Sequence, residues 1–117
     1  MSTFFDKLKQ GASDTAKKAQ QAVEVTKLKS QISSKEREIE NHFKHLGESV
    51  FKAFTENDLS KAELSIRSRS EQIMELQKEM LDLQLKITEV KNEKKCVCGK
   101  TVLLDFKFCQ SCGHRFD

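Results

Sequence analysis

The chain has no proline, no tryptophan and no tyrosine, and only four glycines among 117 residues. Proline is the strongest helix breaker, so its absence permits long uninterrupted helices. A third of the residues are charged (33%) and the only aromatics are eight phenylalanines, a composition poorly suited to a thick globular core. It suits helices that bury only a stripe. No apolar run approaches the length that spans a bilayer. Also missing are a glycine-rich phosphate loop and a nucleophile with an evident base, since neither Ser13 nor Ser111 has one. His42 and His45 are three residues apart but lack convincing partner carboxylates. We therefore expect a non-enzymatic protein.

What is present is concentrated at one end. All four cysteines lie in the last 22 residues, as Cys96-Val97-Cys98-Gly99 and Cys109-Gln110-Ser111-Cys112-Gly113, with ten residues between Cys98 and Cys109. Two close pairs, each followed by glycine, suit a single tetrahedral four-thiolate Zn²⁺. Glycine after each pair relieves crowding where the chain reverses. A metal holding four sulfurs has no open position for water or substrate, so the site reads as structural. Two disulfides would use the same residues, but Cys96 and Cys98 are too close for an easy bridge. The start, Met1-Ser2-Thr3-Phe4-Phe5-Asp6-Lys7, lacks the apolar core of a signal peptide. The expected setting is a reducing cytoplasm, where thiols stay free for metal. His114 is a reserve ligand that four sulfurs leave unneeded.

The stretch from Cys96 to Phe116 resembles the zinc ribbon family found at the ends of many small bacterial proteins. There the second pair follows an aromatic residue, as Phe108 precedes Cys109, and runs Cys-x-x-Cys-Gly. The first pair departs from the pattern, with one intervening residue where the family usually has two. That implies an irregular first knuckle but the same ligand count. The wider layout, a Phe-Phe-Asp-Lys-Leu-Lys start, a helical middle and a terminal ribbon, is similar to zinc-ribbon proteins of low-GC Gram-positive bacteria. This wider likeness implies no particular activity.

The middle is periodic. Leu59, Ala62, Ile66, Arg69, Ile73, Leu76, Met80, Leu83, Ile87 and Val90 step by three and four, a heptad seam with one polar member, Arg69; its long stem is expected to snorkel outward rather than to fix register from within the seam. Ser60 with Glu63 reads as a capping box and Leu59 with Leu64 as a hydrophobic staple. Upstream, Val25, Leu28, Ile32, Ile39, Phe43, Leu46, Val50 and Ala53 form a second stripe, interrupted at Lys35 and Glu36. Two such segments make an antiparallel helical hairpin or a coiled coil joined by a turn near residues 55–59. Phe51, Phe54, Leu81 and Leu85 fall outside these stripes and suggest a further face for self-association. Gly47 would let another backbone approach closely.

Residues 1–24 read as a basic amphipathic helix. Phe4, Phe5, Leu8, Ala12, Ala16 and Ala19 lie on one side, with Lys7, Lys9, Lys17 and Lys18 flanking. Thr3 with Asp6 reads as a capping pair, and Gly11 with Ser13 as a hinge or second start. Packing or oligomer contacts, an anionic membrane surface and disorder are all open readings of this segment. Net charge is +3 for residues 1–29, −3 for 30–90 and +3 for 91–117. Four thiolates with Zn²⁺ would carry −2, leaving the last segment near +1. Lys91, Lys94, Lys95, Lys100, Lys107 and Arg115 thus form a weak candidate for nucleic acid, with Phe106 or Phe108 for base stacking. The alternative is that these phenylalanines pack on the metal knuckles.

The expectation is a mainly α protein. Residues 1–24 form the basic helix, 25–94 a long antiparallel helical hairpin or coiled coil, and 95–117 a small C-terminal β zinc ribbon. Cys96, Cys98, Cys109 and Cys112 bind one structural Zn²⁺. The expected role is interaction or scaffolding, through a protein partner or self-association. Nucleic-acid binding, and a peripheral membrane role through residues 1–29, are the alternatives.

Overall fold

A computed structural model describes residues 2–116; the two terminal residues lie outside the described part. Two long helices, α1 (Ser2–Thr55) and α2 (Glu63–Val90), are followed by the short strands β1 (Glu93–Lys95) and β2 (Thr101–Leu103). No described helix is long and apolar enough to cross a membrane. The chain divides into two compact units, Lys29–Gln84 and Met1–Leu28 with Leu85–Asp117.

In the first unit, α1 ends on Asn57, which takes a left-handed conformation (φ 57°). The Asn57 N–H reaches the Phe54 carbonyl at 3.1 Å, and the Asp58 N–H reaches that of Ala53 at 3.0 Å. These two bonds make a Schellman stop with asparagine in the place usually held by glycine. The turn is residues 56–58, inside the expected region. Asp58 then caps the next helical start, accepting from the Ser60 N–H at 3.2 Å and from its hydroxyl. A 3-10 turn (Leu59–Ala62) leads into α2. The expected capping box is therefore replaced: the Ser60 hydroxyl is spent on Asp58. The staple is absent too, since Leu59 and Leu64 are both exposed.

The helices meet along Ile32, Lys35, Ile39, His42, Leu46, Ser49 and Ala53 of α1, all buried or half-buried. The α2 side is Ala62, Ser65, Arg69, Ile73, Leu76, Met80 and Leu83. Three polar bonds cross between them: Lys35 Nζ donates to Glu79 at 2.7 Å, Arg69 lies 3.0 Å from His42 Nδ1, and Ser49 and Ser65 share a bond of 3.1 Å. Partner numbers fall as α1 numbers rise, which is the antiparallel sense. Lys35, His42 and Ser49 are seven residues apart, so polar rungs alternate with the apolar layers of Ile32, Ile39, Leu46 and Ala53.

This corrects the stripes at four positions. Phe43, Val50, Leu59 and Ile66 are exposed, and His42, Ser49 and Ser65, the neighbours of Phe43, Val50 and Ile66, take the seam. The strict seven-residue repeat of Ile32, Ile39, Leu46 and Ala53 sets the rotation of α1, and the polar residues that fall on that face find partners across it. Lys35, which interrupted the stripe, is itself a seam residue. Arg69, whose long stem was expected to snorkel outward, is instead half-buried on the seam, 3.0 Å from His42 Nδ1.

In the second unit, α1 passes through Gly11 and Ser13 without a break and continues past residue 24. A second helix start at Gly11 and Ser13 is thus not seen. An interior glycine costs only about 1 kcal/mol, too little to end a helix that no competing cap interrupts. Thr15 instead bonds its hydroxyl to the Gly11 carbonyl at 2.8 Å. All side chains of residues 3–20 are exposed, including Phe4 and Phe5 at 66% and 68%. α2 ends on Asn92, again left-handed (φ 54°), and the chain turns directly into β1.

Candidate metal centre

β1 and β2 pair antiparallel, with Lys94 opposite Val102. The five residues between them, 96–100, carry the first cysteine pair. Gly99 (φ 95°) donates its N–H to the Cys96 carbonyl at 2.9 Å, while the Cys96 N–H reaches Lys100 at 2.8 Å. The second pair is held in the same way between Phe108 and Arg115, which form a single antiparallel bridge. Gly113 (φ 79°) donates to the Cys109 carbonyl at 2.9 Å, and the Cys109 N–H reaches His114 at 2.8 Å. The first knuckle, expected to be irregular, follows the same plan with one residue fewer. Each glycine occupies left-handed backbone that other residues adopt at a cost.

The two knuckles bring all four sulfurs together. Every pair of Sγ atoms lies within 4.8 Å. Cys96 and Cys112 are 3.5 Å apart, and Cys98 and Cys109 are 3.7 Å apart. A disulfide would need about 2.05 Å, and all four cysteines are free. With metal–sulfur bonds of about 2.3 Å, a tetrahedral site places its sulfurs about 3.8 Å apart. The donor set therefore fits one four-coordinate metal ion. Cys96 and Cys109, the first of each pair, are buried, while Cys98 and Cys112 are exposed. His114 is not in the cluster; its ring meets Phe116 edge-on at 5.5 Å.

As thiols, Cys96, Cys109 and Cys112 do not titrate alike. Cys109 is lowered to about 6, because the N–H groups of Cys112 and Ser111 point at its sulfur. For Cys112 the His114 N–H favours the thiolate, but the Cys96 sulfur, burial and the remaining sulfurs outweigh it and push the group up to about 12. Cys96 is also raised: the Cys98 N–H and the Cys112 sulfur favour its thiolate, but burial and the Cys98 and Cys109 sulfurs outweigh them. One sulfur poised to ionise among neighbours that resist joining it is the situation a bound dication relieves.

The rest of the module is small. Among the described residues, Val102 joins Cys96 and Cys109 in one buried cluster, with Phe106 and Phe116 packed against them. Lys94 ties the module together. Its ammonium donates to the Leu104 and Phe106 carbonyls at 2.9 and 2.7 Å and lies 4.0 Å over the Phe116 ring. Sequence reasoning placed Lys94 in a basic cluster that was a weak candidate for nucleic acid. The signal it lacked is the path of residues 104–106, which delivers two carbonyls to one ammonium. Phe106 packs inward, whereas Phe108 is exposed along with Val97, Leu103 and Leu104. Comparison with protein-family models, curated proteins and solved structures gives no match.

Proposed function

We propose that this is a non-enzymatic interaction protein of the cytoplasm. Its terminal ribbon holds one structural Zn²⁺ through Cys96, Cys98, Cys109 and Cys112 and docks a protein partner. The observation that carries this reading is the pairing of a closed four-sulfur site with exposed apolar side chains on the same small module. Bound Zn²⁺ would supply folding energy and charge neutralisation, with no coordination position left for a reaction. Around it, Lys94 orders the 104–106 segment, and Val97, Leu103, Leu104 and Phe108 offer apolar contact. The commitment of Lys94 to internal carbonyls removes one cation from the basic cluster and favours a protein over nucleic acid.

The test is capture of partners from native cytoplasm by the full chain, with the Cys109→Ser, Cys112→Ser double variant as control. Partners lost with the metal, and lost again with Leu104→Ser and Phe108→Ser in metal-loaded protein, support the ribbon as the docking element. Retention of the same partners by all three proteins refutes it.

A second reading has its own observation. Phe4, Phe5 and Leu8 are exposed on the helix that carries Lys7, Lys9, Lys17 and Lys18, a pattern suited to an anionic membrane surface. Cosedimentation with anionic vesicles, lost on Phe4→Ser with Phe5→Ser, would support it. Absence of binding at low salt would exclude it.

A further inference from the structure

The seam of the 29–84 hairpin divides its surface into two faces of opposite character. Each residue turns the helix by about 100°, so the residue before a seam position faces one side and the residue after it faces the other. Because the helices are antiparallel, the "before" residues of both fall on the same face of the pair. The surface grooves bear this out. One is lined by Glu38, Asn41, Gln72 and Glu75 together with the seam residues His42 and Leu76. Another brings Lys52 and Lys61 together. That face is polar. In the half nearest the turn, the opposite face carries Phe43, Gly47, Val50 and Phe54 from α1, and Glu63, Ile66, Ser70 and Met74 from α2. Its five large apolar side chains are all exposed, Phe54 and Met74 to 67% and 68%.

Gly47 lies in the middle of the α1 stripe. A methyl group added there would meet nothing within 4 Å, so no contact inside the molecule requires a glycine. It leaves open space in which another backbone can approach closely. The face also carries a single charge, Glu63, 3.9 Å from Arg67 on its own helix. A surface with no excess of either sign meets an identical surface without like-charge repulsion, as a two-fold contact demands.

We propose that two copies of the protein join through this face, α1 packing closely at Gly47 between Phe43 and Phe54. Twelve residues of helix at 1.5 Å each, two helices wide, cover roughly 18 by 20 Å per copy. With rough side chains this buries on the order of 1,000 Å² in total, the low end for a specific interface. An interface of that size suits a weak, reversible dimer, which we expect to dissociate in the micromolar range. This inference does not rest on the metal.

Sedimentation velocity of the full, metal-loaded chain over about 1 μM to 0.5 mM spans that range. We expect a concentration-dependent monomer–dimer equilibrium. Phe43→Ser with Phe54→Ser weakens it at least about tenfold, with helical circular dichroism retained. Leu64→Ser, on the polar face, leaves it unchanged. Gly47→Ala separates the proposal from simple misfolding: alanine favours the helix, so the monomer melts higher while dimerisation weakens. A monomer at every concentration overturns the proposal. So does a dimer indifferent to Phe43→Ser with Phe54→Ser, or one that Gly47→Ala leaves as tight as before.

Discussion

The hairpin of residues 29–84 and the metal ribbon are held together by different means. Stability in the hairpin is spread over a seam in which small apolar layers and polar rungs repeat every seven residues, and no single contact dominates. In the ribbon it converges on one point, four sulfurs within 4.8 Å, with Val102 and two half-buried phenylalanines as its remaining core. A long helix pair can lose one layer and keep the others. A module of some twenty residues has no second layer, because so short a chain buries too little apolar surface to fold without a staple.

That contrast is most exposed by removing a ligand. Cys109→Ser, or chelation of the wild type, should abolish stoichiometric zinc and unfold the ribbon, since structural zinc supplies about 10–16 kcal/mol of apparent binding energy in small modules. Zinc content and the dispersion of amide resonances from 93–116 report this, while the helical circular dichroism signal should be nearly unchanged. Loss of the helices together with the metal would break the comparison.

Ile39→Ala addresses the hairpin in turn. Ile39 is 8% exposed, and its truncation should cost about 2–4 kcal/mol. It should lower the denaturant midpoint of the helical transition with zinc content intact. A smaller loss would mean that the neighbouring polar rungs carry the seam.

Lys94→Met tests whether the ribbon has any support besides sulfur. It removes the donor from the exposed Leu104 and part-buried Phe106 carbonyls and should cost about 1 kcal/mol, read as weaker zinc affinity in a chelator competition. Unchanged affinity would leave the metal as the sole staple.

The smallest effect is expected from pH. The Lys35 bond to Glu79 raises the lysine above its usual 10.5. A raised folded value means that its stabilisation is fully present below 10.5 and is lost only as pH rises through the folded value. Between pH 6 and 9, Lys35→Met should therefore change stability by a constant, small amount, because the pair is largely solvent-screened. A difference that varies across this window would assign the rung to another titrating group.

The cysteine spacing alone marked out the whole candidate site, because ligand chemistry is written in residue type and local separation. Glycine after each pair likewise told of a turn, and both glycines have positive φ. The two helices were legible from their periodicity and from the lack of proline. Less visible were the stops. Asn57 and Asn92 end both helices in left-handed backbone, a role their residue type permits but does not announce. The seam was misread by one position at Phe43, Val50 and Ile66, because a search for apolar residues passes over His42, Ser49 and Ser65. Those three belong to the seam only because each meets a polar partner on the other helix.

By itself, then, the sequence determined the four cysteines of the candidate metal centre, the helical character and the place of the turn, all of which depend on neighbours within a few residues. The tertiary structure alone decided how the helices rotate against each other. That rotation put histidine and serine inside and left phenylalanine and valine outside; in the ribbon, the fold enlisted Lys94. Such choices follow from the pairing of residues up to 44 positions apart, where the cost of leaving any one polar group unbonded is weighed against the packing of the entire seam.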